Sequence, residues 1–430
     1  MEFDQATSLE GRRLGRYLLR HKLAEGGMAS IYLAQVHGDQ NFTRWVALKV
    51  VHPGRADDPA FATMLADEAR IIARIHHPNV CSVMDFGSEG DQIYLVMEYL
   101  HGESLSAAAK RARGSRKSFP AWLAARTVAD AARGLHAAHE LTDEHGEPLE
   151  VVHRDVSPGN IMISYDGPAK VIDFGVVRAR GRETKTQVGV VKGKITHMAP
   201  EQLLGKEVDR RADVWSLGVV LWEATLGRRL FRGSSPGETV KNVTQARIPR
   251  PSEIAPNYPP ALEHAIMGAL RRDVESRTAT ARVLAHRLEA YLCDLGSPTG
   301  HAEVATWMRS AFSDRLIVRD ALMDTPEDSG PLVIAGLVDE QTQSALISGQ
   351  VGTSAFAAPP VESPTGVTQV AKAPLEKKAQ QSETVEEDID RTLAELRRKK
   401  RRRGNLMLAL GVLAVVVVSA LTYLAMSGQS

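Results

Sequence analysis

The 430-residue chain predicts an α+β fold of two lobes, the first built from strands and the second from helices, followed by a linker and one C-terminal transmembrane helix. Three observations carry this expectation. Strand-like runs (YLLRHKLA, SIYLAQVH, RWVALKVV, IYLVMEYL) crowd the first hundred residues, helical periodicity dominates after residue 104, and Leu406 to Met426 is an uncharged apolar run. Composition bounds the class. Hydrophobic residues make up 43% and charged residues 24%, which excludes a wholly disordered chain. The 53 Lys and Arg nearly cancel the 52 Asp and Glu, against a surface that coats nucleic acid. Two cysteines, Cys81 and Cys293, exclude a disulfide scaffold and a cysteine-based zinc module and suit a reducing compartment.

Residues 1–16 read as an N-terminal extension without the apolar stretch of a signal peptide. Residues 17–291 form the main globular unit. Within it, Leu123, Val128, Ala131, Leu135 and Ala138 make one apolar stripe on a helix from Trp122 to His139. Residues 292–325 are a helical extension, in which Val304, Trp307, Met308, Ala311 and Phe312 predict one helix over 302–314, packed on the second lobe. Residues 326–384, rich in Pro, Gly, Ser, Thr and Ala, read as a flexible linker; whether the apolar PLVIAGLV inside it docks is left open. Residues 385–404 are a basic juxtamembrane helix whose apolar edge (Val385, Ile389, Thr392, Leu396) is under two heptads long, so a homodimer through it stays an open alternative.

Residues 405–426 are the membrane span. The 21 uncharged residues from Leu406 cover about 30 Å, the thickness of the hydrocarbon core, and a core helix is rarely apolar on every face over that length. The RRKKRRR run, Arg397 to Arg403, resists translocation and holds its side of the span inside. It meets anionic membrane lipid rather than nucleic acid. Residues 427–430 are a short extracytoplasmic tail, too small for a sensor domain.

The chemistry sits in VVHRDVSPGNIMIS and the segment after it. Asp155 and Asn160 lie five apart; a short apolar run, an Asp166-Gly167 turn and a second run ending in Asp173-Phe174-Gly175 follow. Two short runs around Asp-Gly predict a β-hairpin, and closing it returns Asp173 beside Asn160. A carboxylate and an amide oxygen converging there suit Mg²⁺ with bound phosphates, and Asp155 remains as a carboxylate free to accept a proton.

Together these segments resemble the protein kinase superfamily, with its motifs in order over residues 17–291. The resemblance implies a bilobal protein kinase fold, ATP as substrate, Mg²⁺ (or Mn²⁺) as cofactor and proteins as phosphate acceptors. Lys49 of VALKV matches the lysine that holds the α- and β-phosphates, and Glu68 the helix glutamate that pairs with it. Asp155 matches the catalytic base, Asn160 and Asp173 the metal ligands, and Asp213 the buried aspartate beneath the catalytic loop. Glu201 of MAPE is implied to pair with Arg277. The nucleotide slot would comprise Leu23, Ala24, Glu25, Gly26, Gly27, Met28, Ala29, Ser30 and Ile31. Ala47 and Met162 would sandwich the adenine with Ile31; Met97 would be the gatekeeper, and the backbones of Glu98 and Leu100 would bind the ring edge.

The phosphate loop departs from the family pattern, since alanines (Ala24, Ala29) replace its first and third glycines; looser nucleotide binding is the implied effect. Ser157 stands where Ser/Thr kinases carry lysine, and Lys194 where they carry threonine. Lys194 is expected to supply the displaced cation. Thr184 and Thr186, flanked by bases, are expected autophosphorylation sites, with Arg154 as the guanidinium that receives the phosphate. The strings HRDVSPGN and GKITHMAPEQ look like the myxobacterial branch of bacterial transmembrane Ser/Thr kinases, which places the chain in a bacterial inner membrane with the kinase in the cytoplasm. The alternative is a membrane-anchored pseudokinase acting as an interaction scaffold.

Overall fold

A computed structural model describes residues 9–25, 29–38, 42–52, 59–114, 119–174 and 195–324. The first third forms β1 (Arg13–Leu14), β2 (Tyr17–Glu25), β3 (Ala29–His37), β4 (Thr43–Val51), β5 (Val83–Glu89) and β6 (Gln92–Glu98), of which β3 and β6 are buried along most of their length. They form one antiparallel sheet in the order β1-β2-β3-β4-β6-β5, with helix α1 (Pro59–Ala73) between β4 and β5 in the chain. β4 is sorted by parity. Val46, Leu48 and Val50 enter a core with Leu19, Tyr32, Tyr94 and Val96, while Ala47 faces a second cluster with Leu95 and Met97. Period two puts Lys49 on the Ala47 face. Three strands escape the sequence pattern. β5 (VMDFGSE) is a partly exposed edge strand with little apolar alternation, and β1 and β7 (Gly102–Ser104) are too short to show any.

The remainder is mainly helical. α2 (Leu105–Gly114) and α3 (Ala121–His139) precede a small sheet, β7 paired with β8 (Ile161–Ser164) and β8 with β9 (Ala169–Val171). Short α4 (Pro200–Leu203) leads to α5 (Arg211–Leu226), buried on every face from Ala212 to Ala224. α6 (Pro236–Gln245), α7 (Pro251–Ile254), α8 (Pro260–Ala269) and α9 (Ala281–Cys293) complete the lobe. The expected stripe on α3 is fully buried, and α3 packs on α5 and α9. The extension forms α10 (His301–Ala311), which stops at Phe312 rather than running to 314. Its Trp307 ring stands edge-on to Phe119 at 5.5 Å, and α10 packs on α2 and β8. From Asp314 the chain belongs to a second unit, whose described part is most of α11 (Ser313–Met323). Among the described residues no helix is long and apolar enough to cross a membrane; the Leu406–Met426 run, the linker and the juxtamembrane segment lie outside them.

One close approach ties this lobe to the site. A Cβ on Gly134 of α3 would collide with the Asn79 carbonyl, which accepts the Val171 amide at 2.9 Å, two residues before Asp173. Alanine favours a helix interior by about 1 kcal/mol over glycine. Here overpacking against rigid backbone costs about 1–3 kcal/mol and outweighs it. Gly134→Ala should therefore lower the urea midpoint without changing the m-value; a stabilised variant would contradict the contact.

Candidate active site

The hairpin closes as its sequence predicts. Gly167, with φ of 111°, turns β8 into β9, and the Ile172 amide donates to the Asn160 carbonyl at 3.0 Å. Asp173 thereby returns beside Asn160. Asn160, at the end of a 3₁₀ turn (Pro158–Asn160), donates through Nδ2 to the Asp155 carbonyl at 2.7 Å and to Asp155 Oδ2 at 3.2 Å. Two oxygens remain: Asn160 Oδ1 and Asp173 Oδ2 are buried without a hydrogen-bond partner among the described residues. A hard divalent cation is the partner that such a pair of oxygens fits, so the donor set matches the Mg²⁺ implied by the sequence. Arg154 and Asp173 both adopt left-handed backbone, φ 63° and 54°, a conformation that non-glycine residues hold only when their surroundings impose it.

Asp213 imposes it on the catalytic loop. This wholly buried carboxylate accepts the His153 amide at 2.8 Å, the Arg154 amide at 2.9 Å and sits 2.8 Å from His139 Nε2. Burial alone would push its carboxyl up. The His139 bond, the charges of His139 and His153 and the His153 amide outweigh that and hold it below the usual carboxylate range. His153 in turn contacts the Ile172 carbonyl at 3.0 Å and stacks obliquely on Phe174 at 4.6 Å. On the other side, Gln202 of α4 donates to the Arg154 carbonyl at 3.0 Å. Glu201 pairs with buried Arg277 through both oxygens, at 2.6 and 2.9 Å.

Lys49 Nζ lies 3.0 Å from Asp173 Oδ1, with both side chains largely buried. Ala24 and Ile31 pair across β2 and β3 and bury together with Leu23. Glu25 carries an ion pair to Lys22 at 2.8 Å, and Ser30 Oγ lies 3.1 Å from His52 Nε2. Ala47, Met97, Met162 and Leu100 share one apolar cluster with Cys81 and Ile172, so residues of both lobes wall the slot expected for adenine. Burial pushes the Cys81 thiol up and keeps it protonated. Gly26, Gly27, Met28, Thr184, Thr186, Lys194 and the Glu68 side chain lie outside the described residues. Ser157 opens the 3₁₀ turn, and its carbonyl accepts the Asn160 amide at 3.0 Å.

Two contacts escape sequence reasoning. Lys170 of β9 grips both oxygens of Glu98 at 2.6 and 2.7 Å, and Glu98 also accepts the Ser82 amide. The alternation of β9, with Lys170 between buried Ala169 and Val171, marks Lys170 as facing away from the core but not what it meets. His139 is the other; it looks like the polar end of α3 until α5 arrives beside it.

Because the folded carboxyl of Asp213 titrates below its unfolded counterpart, its stabilisation is complete above the unfolded value, about pH 4, and is lost as pH falls through the folded one. Asp213→Asn should cost at least about 1.5–3 kcal/mol at pH 7, and its gap from wild type should shrink below about pH 4. Denaturant unfolding followed by fluorescence of buried Trp215 at both pH values measures this; a pH-independent gap would be the contrary result.

Residues 17–288 match the family model described as protein kinase domain. The tyrosine-protein kinase MasK of Myxococcus xanthus is 41% identical over 300 residues, 70% of this chain and 46% of that protein. The serine/threonine-protein kinase PknA of Mycobacterium tuberculosis is 36% identical over 261 residues, 58% of this chain and 56% of that one. PknL, another serine/threonine-protein kinase of M. tuberculosis, is 34% identical over 283 residues, 66% and 67%. The chain thus spans about half the length of the first two. With the family pattern matched over the two-lobed body that carries Lys49, Asp155, Asn160 and Asp173, the chain belongs to the protein kinase family, in its bacterial, eukaryotic-like branch.

Proposed function

We propose that this chain is an active, membrane-anchored Ser/Thr protein kinase that moves the γ-phosphoryl group of ATP onto protein hydroxyls and phosphorylates itself. The observation that carries the reading is the pair of buried oxygens on Asn160 and Asp173, unpartnered among the described residues and held within one hydrogen-bonded group with Asp155. The apolar slot of Ala47, Met97 and Met162 would take the adenine, and Lys49 would exchange Asp173 for the phosphates. Asn160 and Asp173 would hold Mg²⁺, which when bound neutralises charge on the phosphate oxygens. Asp155 accepts the proton of the acceptor hydroxyl as its oxygen bonds to the γ-phosphorus. The bond from that phosphorus to the bridging oxygen breaks, and ADP leaves with the electron pair.

Ser/Thr acceptors are favoured because the catalytic loop, HRDVSPGN, lacks the alanine-arginine form of tyrosine kinases. A tyrosine acceptor is the second reading, favoured by the name of the M. xanthus relative. The pseudokinase alternative has the alanine-bearing phosphate loop and Ser157 behind it; the intact Lys49, Asp155, Asn160 and Asp173 set speaks against it. The span at 405–426 and the preceding base run support the anchor and a kinase body on the cytoplasmic side.

Purified full-length protein with ATP and Mg²⁺ should label itself and an added protein acceptor, with the label on serine or threonine after acid hydrolysis. Asp155→Asn should lose at least about 10²-fold in rate, as expected when a positioned proton acceptor is removed. Label on tyrosine alone would select the second reading, and labelling unaffected by Asp155→Asn would remove the proposed role. Separately, alkaline phosphatase fused after Ser430 should be active in the periplasm; an inactive phosphatase there, with a fluorescent protein active at the same point, would reverse the orientation.

A further inference from the structure

Between Ala224 and Gly237 the chain carries Arg228, Arg229 and Arg232 and no carboxylate. This connection follows α5 and leads into α6, which packs on α4, the helix whose Gln202 touches the catalytic loop. Through α4, the connection is thus linked to the loop that carries Asp155. At the root of the connection stands Glu223, a carboxylate that could have offered an acceptor's basic side chain a partner. It is instead buried and consumed from within. Its Oε1 accepts the Leu230 amide at 3.0 Å, its Oε2 accepts Arg229 Nη1 at 2.8 Å, and His197 Nε2 lies 3.3 Å from it.

The other carboxylates on these elements are mostly engaged too. Glu201 is held by Arg277, Asp209 by Arg211, and Glu238 by the amide and hydroxyl of Ser234. Glu207 is the exposed exception. The cations are the reverse. Arg228, Arg232 and Lys206 are exposed, and none has a side-chain hydrogen bond or ion pair to another described residue. Among the described residues the rim is therefore left with an excess of uncommitted positive charge, on a protein whose formal net charge is only +1.

We propose that this rim selects acceptors with acidic residues flanking the hydroxyl, through Arg228, Arg232 and Lys206. The proposal rests on the kinase reading above and names its substrate class. Exposed charges act mainly by steering and by weak, salt-screened pairs, so the preference should appear in kcat/KM and fade with ionic strength. The basic stretch around Thr184 and Thr186 is a separate case, because a segment tethered to the same chain is presented at high effective concentration whatever its flanking charge.

The test is a peptide set of one length and one central Ser or Thr, flanked by Asp and Glu, by Ala, or by Arg, given to the full-length protein. The acidic peptide should exceed the alanine peptide about three- to tenfold in kcat/KM, the range of two or three exposed pairs, and the ratio should approach one by about 0.5 M salt. Arg228→Glu with Arg232→Glu should turn the preference toward the arginine peptide while the KM for ATP stays as in wild type, which also reports an intact fold. Wild type that labels alanine or arginine peptides at least as well as acidic ones overturns the acidic-acceptor proposal alone. No transfer to any acceptor, the chain itself included, overturns the kinase reading beneath it.

Discussion

A carboxylate buried without partners is too costly to keep, and Asp213 is buried completely. Its partners dictate much of the second lobe. To satisfy it, the amides of His153 and Arg154 must point into the lobe, which draws the catalytic loop down onto α5 and imposes the left-handed backbone at Arg154. His139 must reach it from α3, which sets how α3 lies on α5. α5 can serve as this anchor because its burial on every face leaves it no freedom to shift. Local strain in the loop is thus held by interactions remote from the reacting atoms.

The same loop is tied forward to the metal-ligand end. His153 bridges from Asp213 to the Ile172 carbonyl and the Phe174 ring, so one residue spans the distance between the anchor and Asp173. The β8–β9 hairpin supplies the other connection through the Ile172 amide. Continuing outward, Val171 exchanges backbone bonds with Asn79 and Cys81, while Lys170 grips Glu98 at the start of the connection between lobes. Both oxygens of Glu98 and the amides of Cys81, Val171 and Ile172 have partners in this series, while Asp173 keeps Oδ2 open for the metal ion. A displacement at the adenine slot therefore has a short covalent and hydrogen-bonded route to Asp173.

Charge outside this core is arranged by the same economy of partners. Glu201 on α4 and Glu223 on α5 are buried acids closed by Arg277 and Arg229. Burial raises the carboxyl of Glu223, but the charge and bond of His197, then Arg229 and the Leu230 amide, pull it below the ordinary range, so it remains ionised and engaged at neutral pH. Removing acids from the rim in this way leaves surface arginines unmatched among the described residues.

The residues alone determine the two-lobed order, the family and most of the chemistry. Period-two and helical stripes are local, the Asp166-Gly167 turn closes its hairpin through neighbours, and Asp155, Asn160 and Asp173 are close in sequence, so their convergence needs only one turn. The burial of Asp213 beneath the catalytic loop, and the Glu201–Arg277 pair, were legible only through family resemblance, and His139 as a partner of Asp213 was not legible at all. What the sequence could not show is every contact made by groups far apart in the chain without a periodic signature. The edge strand β5 carries too little apolar alternation to stand out. Lys170 and Glu98 are 72 residues apart, and each alone reads as a solvated charge. Neither the burial of Glu223 nor the exposure of Arg228 and Arg232 is written in a run of bases, because which charges are neutralised depends on which side chains the packed helices bring within 3 Å of one another. Pairing across the fold is a property of the tertiary structure, and it decides where this protein's charge remains available.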